Sequence, residues 1–72
     1  MRVFSVLLDN TEYYDFLGVF ASQEDADAFI RRQEGFVRGW YEYGIVASEL
    51  GEEVDFLGAV DWDWVHPGAV NV

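Results

Sequence analysis

Hydrophobic and polar positions change period along this chain, and each change marks an element. The segment "VFSVLL", residues 3–8, is apolar at odd and even positions alike. This predicts a central strand covered on both sides, or on one side with a partner over the other. "DNTEYYD", residues 9–15, is a polar, turn-rich connection around Tyr13 and Tyr14, and "FLGVFA", residues 16–21, is a second strand. A loop this short joins the two as an antiparallel hairpin.

The period then shifts to that of a helix. In "SQEDADAFIRRQEG", residues 22–35, Ser22 is placed as N-cap and Asp25 stands where a capping box puts an acid. Gly35 falls where a left-handed glycine would close the helix. Glu24, Asp25 and Asp27 favour the positive end of the helix dipole, Arg31 and Arg32 the negative end. Ala26, Phe29 and Ile30 form one apolar stripe for a sheet. After it, "FVRGWYEYGIVASEL", residues 36–50, is aromatic and β-branched and predicts a long third strand, with Gly39 or Gly44 marking a bulge. A turn at Gly51-Glu52-Glu53 leads to a fourth strand, residues 54–64. There Val54, Phe56, Gly58, Val60, Trp62 and Trp64 alternate with Asp55, Leu57, Ala59, Asp61 and Asp63. The first set predicts a core face under the helix, the second a face for water or a partner. Pro67-Gly68 ends the strand and opens a short C-terminal tail.

The expected fold is therefore α+β: a single domain over residues 1–72 in the order ββαββ, one helix packed on a four-stranded, mainly antiparallel sheet. "LGVFASQEDADAFI" resembles the N-terminal half of small bacterial and phage proteins of unknown function. In these a "GVF-S-x-E-x-A-x-A-F/I" pattern joins strand two to the helix. The likeness covers residues 1–34 and implies neither an activity nor catalytic residues. In size, acidity and aromatic richness the chain is also similar to phage-encoded inhibitors of host nucleic-acid enzymes, DNA mimics and anti-CRISPR proteins among them.

Composition sharpens this picture. A chain of 72 residues buries only about 60% of the surface its unfolded form exposes, so the stability margin is thin. No cysteine is present to staple it, but 51% hydrophobic content sets it apart from disordered acidic chains. No apolar run reaches the roughly 18 residues of a spanning helix, and the expected setting is cytoplasmic. Fourteen acids against four arginines and no lysine give a net charge of −10. That balance opposes direct contact with DNA, RNA or an anionic membrane, because each requires bases to meet phosphate. It suits a basic protein surface, such as that of a nucleic-acid-binding protein, which a field of one sign attracts. Solubility alone is the plainer use of the same charge.

Two constellations carry candidate chemistry. Asp61-x-Asp63-x-x-His66 sets two carboxylates about 7 Å apart on one strand face, with an imidazole beyond. Carboxylate and imidazole are ordinary metal ligands, but a fourth ligand is missing and no Ca²⁺-loop pattern surrounds them, so no metal or other cofactor is expected. A solvated acidic stripe is the favoured reading, with Asp55, Asp61 and Asp63 meeting a partner's bases. The second constellation is the surplus of aromatics: three Trp, four Tyr and six Phe are many for one helix to cover. Tyr13, Tyr14, Trp40, Tyr41 and Tyr43 are expected to be exposed as interface anchors, toward a foreign protein or a second copy of the chain. No nucleophile stands beside a base, no glycine-rich phosphate loop occurs, and one helix on four strands offers little room for a cleft, so an enzyme is not expected.

Overall fold

In a computed structural model that describes residues 1–54 and 62–67, the first strand lies inside the sheet. β1 (Arg2–Asp9) pairs antiparallel with β2 (Tyr14–Phe20) on one side and with β3 (Glu42–Glu49) on the other. β4 (Asp63–Val65) adds to the far edge of β3, giving the order β2-β1-β3-β4. The apolar doubling of "VFSVLL" has its explanation here, since Val6 is 0% and Leu7 2% exposed on opposite faces of a central strand. The β1–β2 ladder shifts register between Val6 and Leu7, so that β2 carries one extra residue there.

Helix α1 (Gln23–Arg31) covers one face. Ser22 is its N-cap in extended conformation, and its Oγ accepts the Asp25 N–H at 3.1 Å. Ala26 and Ile30 are fully buried against Val6 and Ile45, and Phe29 packs on Phe20 with ring centroids 5.1 Å apart. The helix tightens as it ends: the Arg32 and Gln33 N–H groups donate to the Phe29 and Ile30 carbonyls at 3.2 and 2.9 Å.

Two sequence expectations are corrected between residues 34 and 41. The third strand begins at Glu42 rather than at residue 36, because a short helix α2 (Glu34–Val37) intervenes and drops Phe36 onto the core. Gly35 is not the closing glycine of α1; it belongs to α2. Gly39 takes the left-handed role at φ +73°, and α2 ends in a Schellman arrangement. The Trp40 N–H donates to the Gly35 carbonyl at 2.8 Å and the Gly39 N–H to that of Phe36 at 3.1 Å. Nor does Gly44 mark a bulge. It sits in regular register between Leu7 and Trp64.

That register also assigns the tryptophans to a face. Tyr43 and Ile45 point toward α1, so Val65 and Asp63, paired with them, do too; Trp64, paired with Gly44, lies on the opposite face. Trp62 stacks on Trp64 at 4.8 Å between centroids and covers the Cα of Gly44. Trp62 and Trp64 therefore do not form the core under the helix, as their alternation suggested. They pack on the second face, where a residue without a side chain leaves the indole room. Ser5, Leu7, Val46 and Ser48 are also buried on this face. The predicted fourth strand, residues 54–64, is corrected at both described ends, since Val54 and Trp62 are not in strand and β4 runs Asp63–Val65; residues 55–61 lie outside the described residues. No helix among the described residues is long and apolar enough to cross a membrane.

Candidate functional site

The β1–β2 turn is built by two side chains acting on nearby backbone. Asp9 Oδ1 accepts the Thr11 N–H at 2.8 Å, and Asn10 Oδ1 accepts the Glu12 and Tyr13 N–H groups, both at 3.0 Å. These bonds hold Thr11 at φ +78° and turn Tyr13 and Tyr14 outward, 54% and 41% exposed. Both were expected at a partner surface. At the same end of the sheet Asp9 stands directly opposite Glu42 on β3, and Tyr14 opposite Asp9 on β2. One end of the molecule thus carries Asp9, Glu12 and Glu42 with two exposed tyrosines.

α2 and its closing turn place the other aromatics. Trp40 and Tyr41 follow Gly39 onto the surface, 58% and 42% exposed, with their rings edge to face at 6.4 Å. Tyr43 does not join them. It is 2% exposed, because strand alternation turns it toward the helix layer, where Phe36 meets it edge-on at 5.9 Å. Burial, and after it the neighbouring Tyr41, pushes the Tyr43 phenol above its ordinary value. Gly35 makes this packing possible, since a methyl there would stand 2.5 Å from Tyr43 Oη and 2.6 Å from Tyr41 Cδ2.

Beside these residues lies a cavity of about 340 Å³. Phe36, Tyr41, Glu42, Trp64, Val65, His66 and Pro67 line it. Glu42 thus stands opposite Asp9 and also lines an aromatic recess.

Of the three fourth-strand carboxylates, Asp55 and Asp61 lie outside the described residues. Asp63 is exposed, but on the helix-bearing side of the sheet rather than the opposite one. There its Oδ2 accepts the Gln23 Nε2–H at 3.4 Å from the start of α1. The trio with His66 is accordingly described only at Asp63 and His66. Among the described residues no three His, Cys, Asp or Glu gather as metal ligands.

Three of the four arginines are spent locally, and Arg32 makes no ion pair among the described residues. Arg31 pairs with Asp27 at 2.7 Å, Arg38 with Glu34 at 2.9 Å, and Arg2 with Glu49 at 3.5 Å. Asp9, Glu12, Asp15, Glu24, Asp25 and Glu42 make no ion pair among the described residues. Sequence reasoning assigned no role to Asp9 or Glu42, whose pairing depends on a β1–β3 register that no local pattern announces.

No protein-family model matches the chain, and comparisons with curated proteins and with solved structures likewise found no match.

Proposed function

We propose that this chain is a non-catalytic, acidic protein-binding module of the cytoplasm whose partner is a basic, nucleic-acid-binding protein. It would act in the manner of a phage-encoded inhibitor, offering carboxylates where the partner expects DNA phosphates. The observation that carries this reading is the uncompensated acidic end of the sheet. Like charges set directly across a ladder cost stability, and Asp9 and Glu42 hold that arrangement with no arginine paired to either, three of the four being paired elsewhere. A base supplied from outside relieves the repulsion, so the cost in the free protein becomes a gain on binding. Neighbouring strands about 4.8 Å apart, and residues about 7 Å apart along one strand, set carboxylates at spacings of the same order as phosphates on DNA. Exposed Tyr13, Tyr14, Trp40 and Tyr41 add the aromatic anchors that interfaces favour.

A homodimeric accessory module, acidic only for solubility, is the second reading. It draws on exposed apolar side chains of the second face, Val19 at 50% and Leu50 at 66%. Two copies would each bring a charge of −10 to such an interface.

The test is displacement. A nucleic-acid-binding protein recovered from host lysate on the immobilised chain is purified and loaded with a labelled duplex. The proposal expects this chain to release the duplex, less effectively as salt rises. Recovery of the bait alone, with sedimentation showing a dimer, overturns it in favour of the second reading.

A further inference from the structure

Two of the chain's four arginines are held in the same way. Arg31 Nε donates to Asp27 Oδ2 at 2.7 Å while its guanidinium carbon lies 5.6 Å from the centroid of Phe36. Arg38 Nε donates to Glu34 Oε2 at 2.9 Å while its guanidinium carbon lies 5.7 Å from the centroid of Trp40. In each case a carboxylate accepts the guanidinium Nε–H and an aromatic ring lies beneath the guanidinium carbon, within the range of about 6 Å at which a ring attracts a cation. A third set of the same parts surrounds the cavity of about 340 Å³: Glu42 as carboxylate, Tyr41 and Trp64 as rings. Glu42 has no cation of its own among the described residues, and Asp9 opposite it deepens the negative field. Arg31, which lies over the cavity residue Phe36, is already committed to Asp27.

We infer that this cavity receives an arginine side chain of the basic partner, with the guanidinium edge on Glu42 and its face against the rings. The inference rests on the reading of the chain as a module for a basic protein and gives that reading a point of attachment. The volume falls at the small end of ligand-sized recesses, suited to one side chain rather than a folded segment. Arginine fits better than lysine because its planar fork offers two parallel N–H groups to a carboxylate and a weakly hydrated face to a ring. An ammonium offers neither.

The experiment titrates the full chain with capped Gly-Arg-Gly and Gly-Lys-Gly peptides, followed by tryptophan fluorescence and amide chemical shifts. The arginine peptide is expected to bind about tenfold tighter than the lysine peptide. Glu42→Gln is expected to weaken it about tenfold. Tyr41→Leu, which keeps apolar bulk but removes the ring, should weaken it about fivefold. Glu24→Gln makes the same charge change on the exposed first turn of α1 and should stay within about twofold of wild type. Equal affinity for the two peptides, or equal losses in Glu24→Gln and Glu42→Gln, would mean diffuse attraction and overturn the site. The peptides read the cavity and the duplex assay reads the module. If Glu42→Gln still displaces the duplex from the partner as wild type does, the cavity falls and the acidic module stands.

Discussion

Asp9 and Glu42 occupy paired positions of the β1–β3 ladder, two acidic residues side by side at the end of the sheet. Such a pair is a stability defect retained in a domain too small to waste stability. Glu42→Gln is therefore expected to raise the urea midpoint at unchanged m-value, a gain of about 0.5 kcal/mol, and added salt should narrow the difference from wild type. The same substitution is the one expected to weaken arginine binding. Stability gained together with affinity lost would mark Glu42 as a residue kept for its partner.

The two glycines of the α2 region should fail for different reasons. Gly35→Ala drives a methyl into Tyr43 and Tyr41 and should cost about 1–3 kcal/mol by overpacking, with changed ring-current shifts of Phe36. Gly39→Ala meets nothing within 4 Å but must hold φ +73°, at a cost of about 1–2 kcal/mol with those shifts unmoved. Denaturant unfolding and proton NMR of both variants separate the mechanisms.

Gly44→Ala tests the second face. The added methyl occupies the place of the Trp62 ring, so the Trp62–Trp64 stack should open. Near-UV circular dichroism should lose the stacked-indole signal, tryptophan emission should shift to the red, and stability should fall by about 1–3 kcal/mol.

Tyr43 makes a prediction at alkaline pH. Its folded value lies above the ordinary 10.0 because burial disfavours the phenolate. Between the unfolded and folded values the native state holds a proton that the unfolded chain has released. The stabilisation is complete below about pH 10 and disappears as pH rises through the folded value. In Tyr43→Phe that component of the alkaline loss should be absent. At neutral pH the variant should be as stable as wild type or slightly more so, because the phenol makes no hydrogen bond among the described residues. Thermal melts of both proteins across the alkaline range check it.

The parts of this fold that announce themselves in sequence are those governed by near neighbours. Ser22 and Asp25 mark the start of α1 through a bond within one turn, and the doubled apolar pattern of β1 reports its central place. α2 leaves no such mark because four residues cannot display a helical period, and its Phe36 and Val37 read equally well as strand. With the start of β3 misplaced, alternation could not say that Tyr43 faces inward while Tyr41 lies on the surface. The alternation around Trp62 and Trp64 was visible, but which face it met depended on Gly44 across the ladder. The acidic end and the aromatic recess are wholly tertiary, since Asp9, Glu42 and Trp64 come from three different strands.

The central position of β1 also sets an order of events during synthesis. The β1–β2 hairpin can close as soon as Phe20 has emerged, but the other edge of β1 pairs with Glu42–Glu49 and must wait for that segment. Until then Val6 and Leu7, the best-buried residues of the finished strand, belong to a two-stranded ribbon with an open backbone edge. Such a ribbon is marginal in water and liable to pair with another chain. A nascent chain stalled before residue 42 would therefore leave that edge open to another chain. The carboxylates of Asp9, Glu12 and Asp15 about the hairpin turn would then guard against nascent-chain association before they could serve any partner.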